Sequence, residues 1–311
     1  MKGNAKWQVT EVFKKSSIFK PGESKHADKQ NARDTLKKEG KTGTSQGISE
    51  HTSLHAYSTA YDYKETWHEF AEYAFKHLNI KDIEKIDSEH VQAFLRARIE
   101  DCICYSTWKK EAAHLGKLAN ALILYNKRDY NFRQAINDIR AEAHEALDTI
   151  ERDRGFVVPE NVIRELRKPD MKLAARVQLE GGARCHEATL IRETQLSGIS
   201  EEHHAGRVHL TNTKGGMPRT ISIRPETYEA LVERLQSGEI RIKNTAYRSA
   251  VALAAKRAGE IVTGTHDFRY NFAHNRFRQL TKAGYTAEQA HYLISQEMGH
   301  HRPDITLHYL M

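Results

Sequence analysis

Apolar residues recur at spacings of three and four along the chain, the period that gathers them on one face of a helix. Trp67, Phe70, Ala71, Ala74, Phe75 and Leu78 predict one such helix. Val91, Phe94, Leu95 and Ile99 predict a second, opening at the capping residues Asp87 and Ser88. Leu115, Leu118, Ala119 and Leu122 mark a third after Thr107, and Ile136, Ile139, Ala143, Ala146, Leu147 and Ile150 a fourth. Four apolar stripes need one another for burial, so a small helical bundle is expected over 51–151. Ahead of it, residues 1–50 are rich in Lys, Ser, Thr and Gly, as in Lys37-Lys38-Glu39-Gly40-Lys41-Thr42-Gly43, and predict a basic, loosely ordered arm.

Arg152-Asp153-Arg154-Gly155 breaks the helical period and Pro159 can start a new helix, so a domain boundary is placed here and a second domain assigned to 155–311. It opens helically, with Val162, Ile163, Leu166, Leu173, Val177 and Leu179 as core candidates. Arg207–Thr211 and Arg219–Ile223 then alternate in polarity around Lys214-Gly215-Gly216, which predicts a β-hairpin. Helices resume near Pro225. The expected fold class is therefore α+β, mainly α with a small β-sheet. A length of 311 residues agrees with two domains at about 150 residues each.

Composition narrows the function. Hydrophobic residues make up 39% of the chain, and none of their runs approaches the roughly 18 to 20 apolar residues that span a bilayer, so no membrane partner is expected. Three cysteines, Cys102, Cys104 and Cys185, are too few for a disulfide framework and read as buried apolar residues; the first residues lack a secretion signal, which predicts a cytoplasmic protein. Lys and Arg outnumber Asp and Glu by 48 to 41, giving a net charge of +7. That excess favours a polyanionic partner, since each neutralised phosphate releases condensed counterions.

Four patches of the second domain hold cationic or imidazole side chains: Gly181-Gly182-Ala183-Arg184-Cys185-His186-Glu187, the hairpin tip with Lys214, Thr265-His266-Asp267-Phe268-Arg269, and Met298-Gly299-His300-His301. Tyr309 follows nine residues after His300. His-x-x-Arg or Gly-His alone occurs in many proteins. Their order discriminates: an arginine after a glycine-containing turn with an acidic residue three positions on, a hairpin lysine, His-x-x-Arg, Gly-His, then a tyrosine. In this order the chain resembles the tyrosine recombinase, or phage integrase, family from about Pro159 to Tyr309. The resemblance extends more weakly to 51–150, which is similar to that family's helical core-binding domain.

The resemblance implies site-specific DNA cleavage and rejoining through a 3′-phosphotyrosyl intermediate, with Tyr309 as nucleophile and neither a metal nor another cofactor. Transfer at phosphorus builds negative charge on the non-bridging oxygens, which fixed cations stabilise more in the transition state than in the ground state. Arg184 and Arg269 suit that role because a guanidinium offers a permanently charged planar fork. His300 is expected as a further donor. By resemblance Lys214 protonates the leaving 5′-oxygen from a mobile hairpin. His266 is the candidate acceptor of the tyrosine proton, and Glu187 is expected to orient Arg184 or His266 from behind. The expected partners are double-stranded DNA, a homotetramer formed on two recombination sites, and accessory DNA-bending proteins.

Plainer readings exist for each residue: a surface arginine, a turn lysine, a core histidine, a buried terminal aromatic. The ordered set outweighs them. Tyr270, Tyr285 and Tyr292 lack the spacing and read as core or surface aromatics. His203, His204, His209 and His301 lack the spacing of a tetrahedral metal site, and Cys102-x-Cys104 has no second pair. The basic arm reads as a solvated tail rather than as a contact to DNA outside the crossover site. Many family members carry a further docking segment after the tyrosine, whereas this sequence stops at Met311, leaving either truncation or a different assembly. The rivals are a type IB topoisomerase and a non-catalytic DNA-binding accessory protein.

Overall fold

A computed structural model of the chain describes residues 1–148, 154–201, 204–213, 217–300 and 309. The chain forms two compact units, Met1–Glu151 and Arg152–Met311. The described part of the first is helical: α1 (Ala5–Lys15), α2 (Lys25–Lys38), α3 (Ser45–His51), α4 (Tyr57–His77), α5 (Ser88–Glu100), α6 (Tyr105–Asn126) and α7 (Arg133–Ala146). Trp67 and Phe70 from α4, Leu95 from α5, and Trp108, Leu115, Leu118 and Leu122 from α6 are fully buried in one core. Each side chain of this size contributes about 1.5–3 kcal/mol on burial. The two buried indoles also satisfy their N–H groups, Trp67 donating to the His114 carbonyl at 2.8 Å and Trp108 to the Leu95 carbonyl at 3.0 Å. The four predicted stripes face this core, although Phe75, Leu78 and Ile99 are only partly buried, Ala146 is exposed, and Ile150 lies outside the described residues.

Residues 1–50 are not a loose arm. Helix α1 is capped by the Asn4 side chain, which accepts from the Trp7 N–H, and it buries Ala5, Val9, Val12 and Phe13 in the same core. Those four residues have the helical period within a polar segment. Helix α2, capped by Ser24, buries only Ala32 and Leu36, too short an apolar signal to stand out among its lysines. The cysteine reading also needs correction: Cys102 is exposed, Cys104 half-buried, and only Cys185 buried.

The second unit continues with α8 (Pro159–Glu165), α9 (Pro169–Gly181), the single turn α10 (Cys185–Ala188), β1 (Leu190–Ile191), β2 (Leu196–Ser200), β3 (Ala205–Leu210), β4 (Arg219–Ile223), α11 (Pro225–Leu235), β5 (Ile240–Arg241), α12 (Asn244–Arg257), α13 (Asp267–Lys282) and α14 (Ala287–Glu297). Strands β3 and β4 form the predicted antiparallel hairpin, with Val208 opposite Ile221 and Leu210 opposite Arg219. Strand β2, which the sequence reading lacks, pairs antiparallel with β3, and β1 pairs with β5. Alternation places Val208, Leu210, Ile221 and Ile223 on the buried face, where they join Val162, Ile163, Leu166, Val177 and Leu179 in one core; Leu173 is packed at its edge. A second cluster, Phe272, Ala273, Leu280, Ala290, Ile294 and Met298, joins α13 to α14, with Tyr309 packed against it. Among the described residues no helix is long and apolar enough to cross a membrane.

Candidate active site

The turn before Arg184 depends on glycine. Gly182 ends α9 in the left-handed region at φ +64°, and its N–H donates to the Gln178 carbonyl at 3.0 Å. A Cβ there would lie 2.5 Å from the Phe272 ring. The tight passage puts Arg184 at the N-cap of α10, where the Glu187 carboxylate reaches back to accept the Arg184 backbone N–H at 2.7 Å. Glu187 also accepts from Arg184 Nη1 at 3.0 Å and, from a second guanidinium, Arg219 Nη1 at 2.8 Å and Nη2 at 2.6 Å. Burial pushes this carboxyl upward, but the Arg219 fork, the Arg184 N–H and the Arg184 charge outweigh it and hold the group at about 2.

Arg269 and His266 come from the start of α13. Arg269 is fully buried; Nη1 donates to the Gly182 carbonyl, and Nη2 donates to the Met298 carbonyl at 2.6 Å and to His300 Nε2 at 3.0 Å. Among the described residues its Nε is buried without a hydrogen-bond partner. The Arg269 charge thus ties the ends of α9 and α14 together, favoured by the negative ends of both helix dipoles. Burial, then the neighbouring Arg184, pushes its guanidinium down to about 10, still charged at neutral pH. His300 is buried on the turn after α14. Because its Nε2 accepts from Arg269, any bond it donates must use Nδ1–H.

Tyr309 completes the cluster. Its hydroxyl lies 3.2 Å from His266 Nε2, its ring centroid is 4.4 Å from that of Tyr270 and 5.4 Å from that of His300, and the Arg269 guanidinium carbon is 5.8 Å from the Tyr309 centroid. Burial, then Arg269 and Arg184, pushes His266 down to about 4, and the same three causes push His300 down to about 3. Both imidazoles are neutral at neutral pH, so in its Nδ1–H tautomer His266 offers an Nε2 lone pair to the phenol proton.

The structure therefore brings Arg184, Glu187, His266, Arg269, His300 and Tyr309 together. Lys214, with Gly215 and Gly216, lies outside the described residues. Arg219, at the start of β4, is a member of the cluster that sequence reasoning missed; its signal was a charged residue at the mouth of the hairpin. Tyr270 is buried beneath Tyr309, whereas Tyr285 and Tyr292 are exposed. His204 is exposed and His209 half-buried, while His203 and His301 lie outside the described residues. Among the described residues no three His, Cys, Asp or Glu side chains are grouped to hold a metal.

No protein-family model matches the chain. In sequence it is similar to an integrase of Escherichia phage 186, 34% identical over 108 residues, and the match spans 34% of this chain and 29% of that integrase. In structure it is similar to XerH site-specific recombinase bound to palindromic difH substrate, at TM-score 0.62 and 15% identity, covering 98% of this chain and 90% of that one. A lambda integrase dimer bound to a COC′ core site matches at TM-score 0.60 and 12% identity, covering 92% and 76%. The Tn1549 transposon integrase in complex with transposon right end DNA matches at TM-score 0.56 and 14% identity, covering 90% and 93%. The chain has the fold of the tyrosine recombinases, the group to which the order of its motifs points.

Proposed function

We propose that the chain is a site-specific DNA recombinase that breaks and rejoins strands by transesterification. The Tyr309 oxygen bonds to a backbone phosphorus and gives its proton to His266, while the phosphorus–5′-oxygen bond breaks. The products are a 3′-phosphotyrosyl link and a 5′-hydroxyl, whose proton the resemblance assigns to Lys214. One ester replaces another, so rejoining needs no external energy source. Arg184 and Arg269 supply fixed positive charge beside the phosphorus. The observation that carries this reading is the Tyr309 hydroxyl at 3.2 Å from a neutral imidazole, with its ring over a buried guanidinium.

The proposed substrate is duplex DNA, in keeping with the net charge of +7 and with the DNA bound in the XerH, lambda integrase and Tn1549 structures. Assembly as four protomers on two sites, with accessory bending proteins, follows from the family resemblance. The test uses nicked suicide duplexes whose sequences are selected by the chain's own binding. A detergent-resistant adduct that Tyr309→Phe abolishes is the expected result. Tight binding with no adduct from the unmutated chain would favour an accessory DNA-binding protein, and relaxation without strand transfer a topoisomerase.

A further inference from the structure

We propose that Arg219 is a positioning residue of this site: by occupying both oxygens of Glu187, it keeps Arg184 from closing into a two-bonded ion pair and leaves the Arg184 fork directed at the anion. The inference rests on the strand-transfer reading and adds a residue and a role to it. Glu187 is fully buried, and a buried carboxylate beside one guanidinium forms the bidentate pair that satisfies both. Arg219 takes that arrangement instead, at 2.8 and 2.6 Å. Arg184 is left with one bond to the carboxylate through Nη1 at 3.0 Å and a long one from Nη2 to the Gly299 carbonyl at 3.5 Å.

Arg219 is itself fixed on two sides. Its Nε donates to the Glu297 carbonyl at 3.2 Å, at the end of α14. Its side chain also fills the space beside Gly299, where a Cβ would lie 2.9 Å from Arg219 Cδ. Gly299 adopts φ +65°, the left-handed turn that delivers His300 to Arg269. One guanidinium thus joins the hairpin strand, the Arg184 turn and the His300 turn. Among the described residues the groups that act on Glu187 are Arg184, Arg219, Arg269 and the half-buried His186, so replacing Arg219 leaves Arg184 as the cation hydrogen-bonded to it.

The test is a double-mutant cycle with Arg219→Gln, Glu187→Gln and both together, read on two scales. First, the Glu187 carboxyl carbon is followed by 13C NMR in glutamate-labelled protein and assigned by its loss in Glu187→Gln. In Arg219→Gln its titration should move upward from about 2. Second, the adduct-forming rate is measured at saturating suicide duplex, apart from affinity. Arg219→Gln should lower it about tenfold to a hundredfold, the scale of a misplaced reactive group. Adding Glu187→Gln should recover a good part of that loss, because the competing carboxylate is gone. If Arg219→Gln does not fold, the double variant is compared with Glu187→Gln alone, and rates within about threefold support the role. An unmoved Glu187 titration, or a double variant at least about tenfold slower than Glu187→Gln, would overturn it by making Arg219 a direct contact to the phosphate. Absence of adduct from the unmutated chain would defeat the strand-transfer reading instead, and the NMR titration would still decide whether Arg219 governs Glu187.

Discussion

Replacement of Glu187 by Gln should cost stability in a pH-dependent way that the structure sets. The carboxyl is fully buried and is held at about 2 rather than its ordinary 4.5, so its ionised form is favoured by folding. At 1.36 kcal/mol per unit of pKa, that gap corresponds to about 3 kcal/mol at neutral pH. Because the folded-state value is depressed, the contribution is complete above pH 4.5 and is lost as pH falls toward 2. Relative to Glu187→Gln, the unmutated chain should therefore be more stable by about 3 kcal/mol at pH 7 and by about half of that near pH 3. His266 and His300 titrate near 4 and 3 but are common to both proteins, so they largely cancel in the difference. Urea unfolding followed by far-UV circular dichroism measures it. Tryptophan fluorescence supplies an internal control, because Trp7, Trp67 and Trp108 all belong to the unit Met1–Glu151. A difference that stays constant from pH 7 to pH 3, or an equal shift of the fluorescence transition, would refute the assignment of that stability to the Glu187 cluster.

Tyr309→Phe should abolish the covalent adduct while costing only about 1 kcal/mol of stability, since it removes a single hydrogen bond to His266; calorimetry and adduct trapping check both. The adduct rate should show no inflection from His266 near pH 6.5 and should fall as pH drops through about 4, where the imidazole gains its proton and loses the lone pair facing the phenol; a pH–rate profile at saturating DNA reads this. Gly182→Ala combines a left-handed backbone with a Cβ 2.5 Å from Phe272, and should destabilise the second unit by about 2–4 kcal/mol in urea unfolding. Phe13→Ala should cost about 3 kcal/mol and shift the tryptophan fluorescence transition, because Phe13 packs edge-on against Trp67 at 5.8 Å; a shift under about 0.5 kcal/mol would mean that α1 is not part of that core.

The elements legible in the sequence were those whose burial pattern repeats over several turns or whose turn residues are unambiguous. Trp67, Phe70, Ala71 and Ala74 fix the buried face of α4, and the alternation around Val208 and Ile221 fixes the hairpin. Helix α1 was not legible because its four buried apolar residues sit in a segment whose lysines and serines dominate any average. Strand β2 was missed for a different reason: Leu196-Ser197-Gly198-Ile199-Ser200 is largely exposed and its pairing is interrupted by an irregularity between Leu196 and Ile199, so no period survives. In the site, order along the chain named Arg184, Glu187, His266, Arg269, His300 and Tyr309, but the bonding that makes Arg219 their neighbour is a tertiary fact. Nor could the sequence tell that Arg269 uses its fork on two carbonyls while Arg184 does not.

This division of labour bears on how the site meets its substrate. Among the described residues of the cluster, the three guanidiniums Arg184, Arg219 and Arg269 and the carboxylate of Glu187 leave two positive charges, because both imidazoles are held neutral by burial and by nearby guanidiniums. A phosphodiester attacked by a phenolate passes through a state carrying two negative charges, against one in the ground-state diester. On the proposed reading a surplus of positive charge stabilises that transition state more than the resting substrate, which is the condition for raising the rate rather than only the affinity. Protonating either imidazole would add charge that the ground state also feels and would cost the folded state its burial. The low values of His266 and His300 are thus a consequence of burial first and of the neighbouring Arg269 and Arg184 second, and on the proposed reading they leave one ring able to accept the phenol proton at neutral pH.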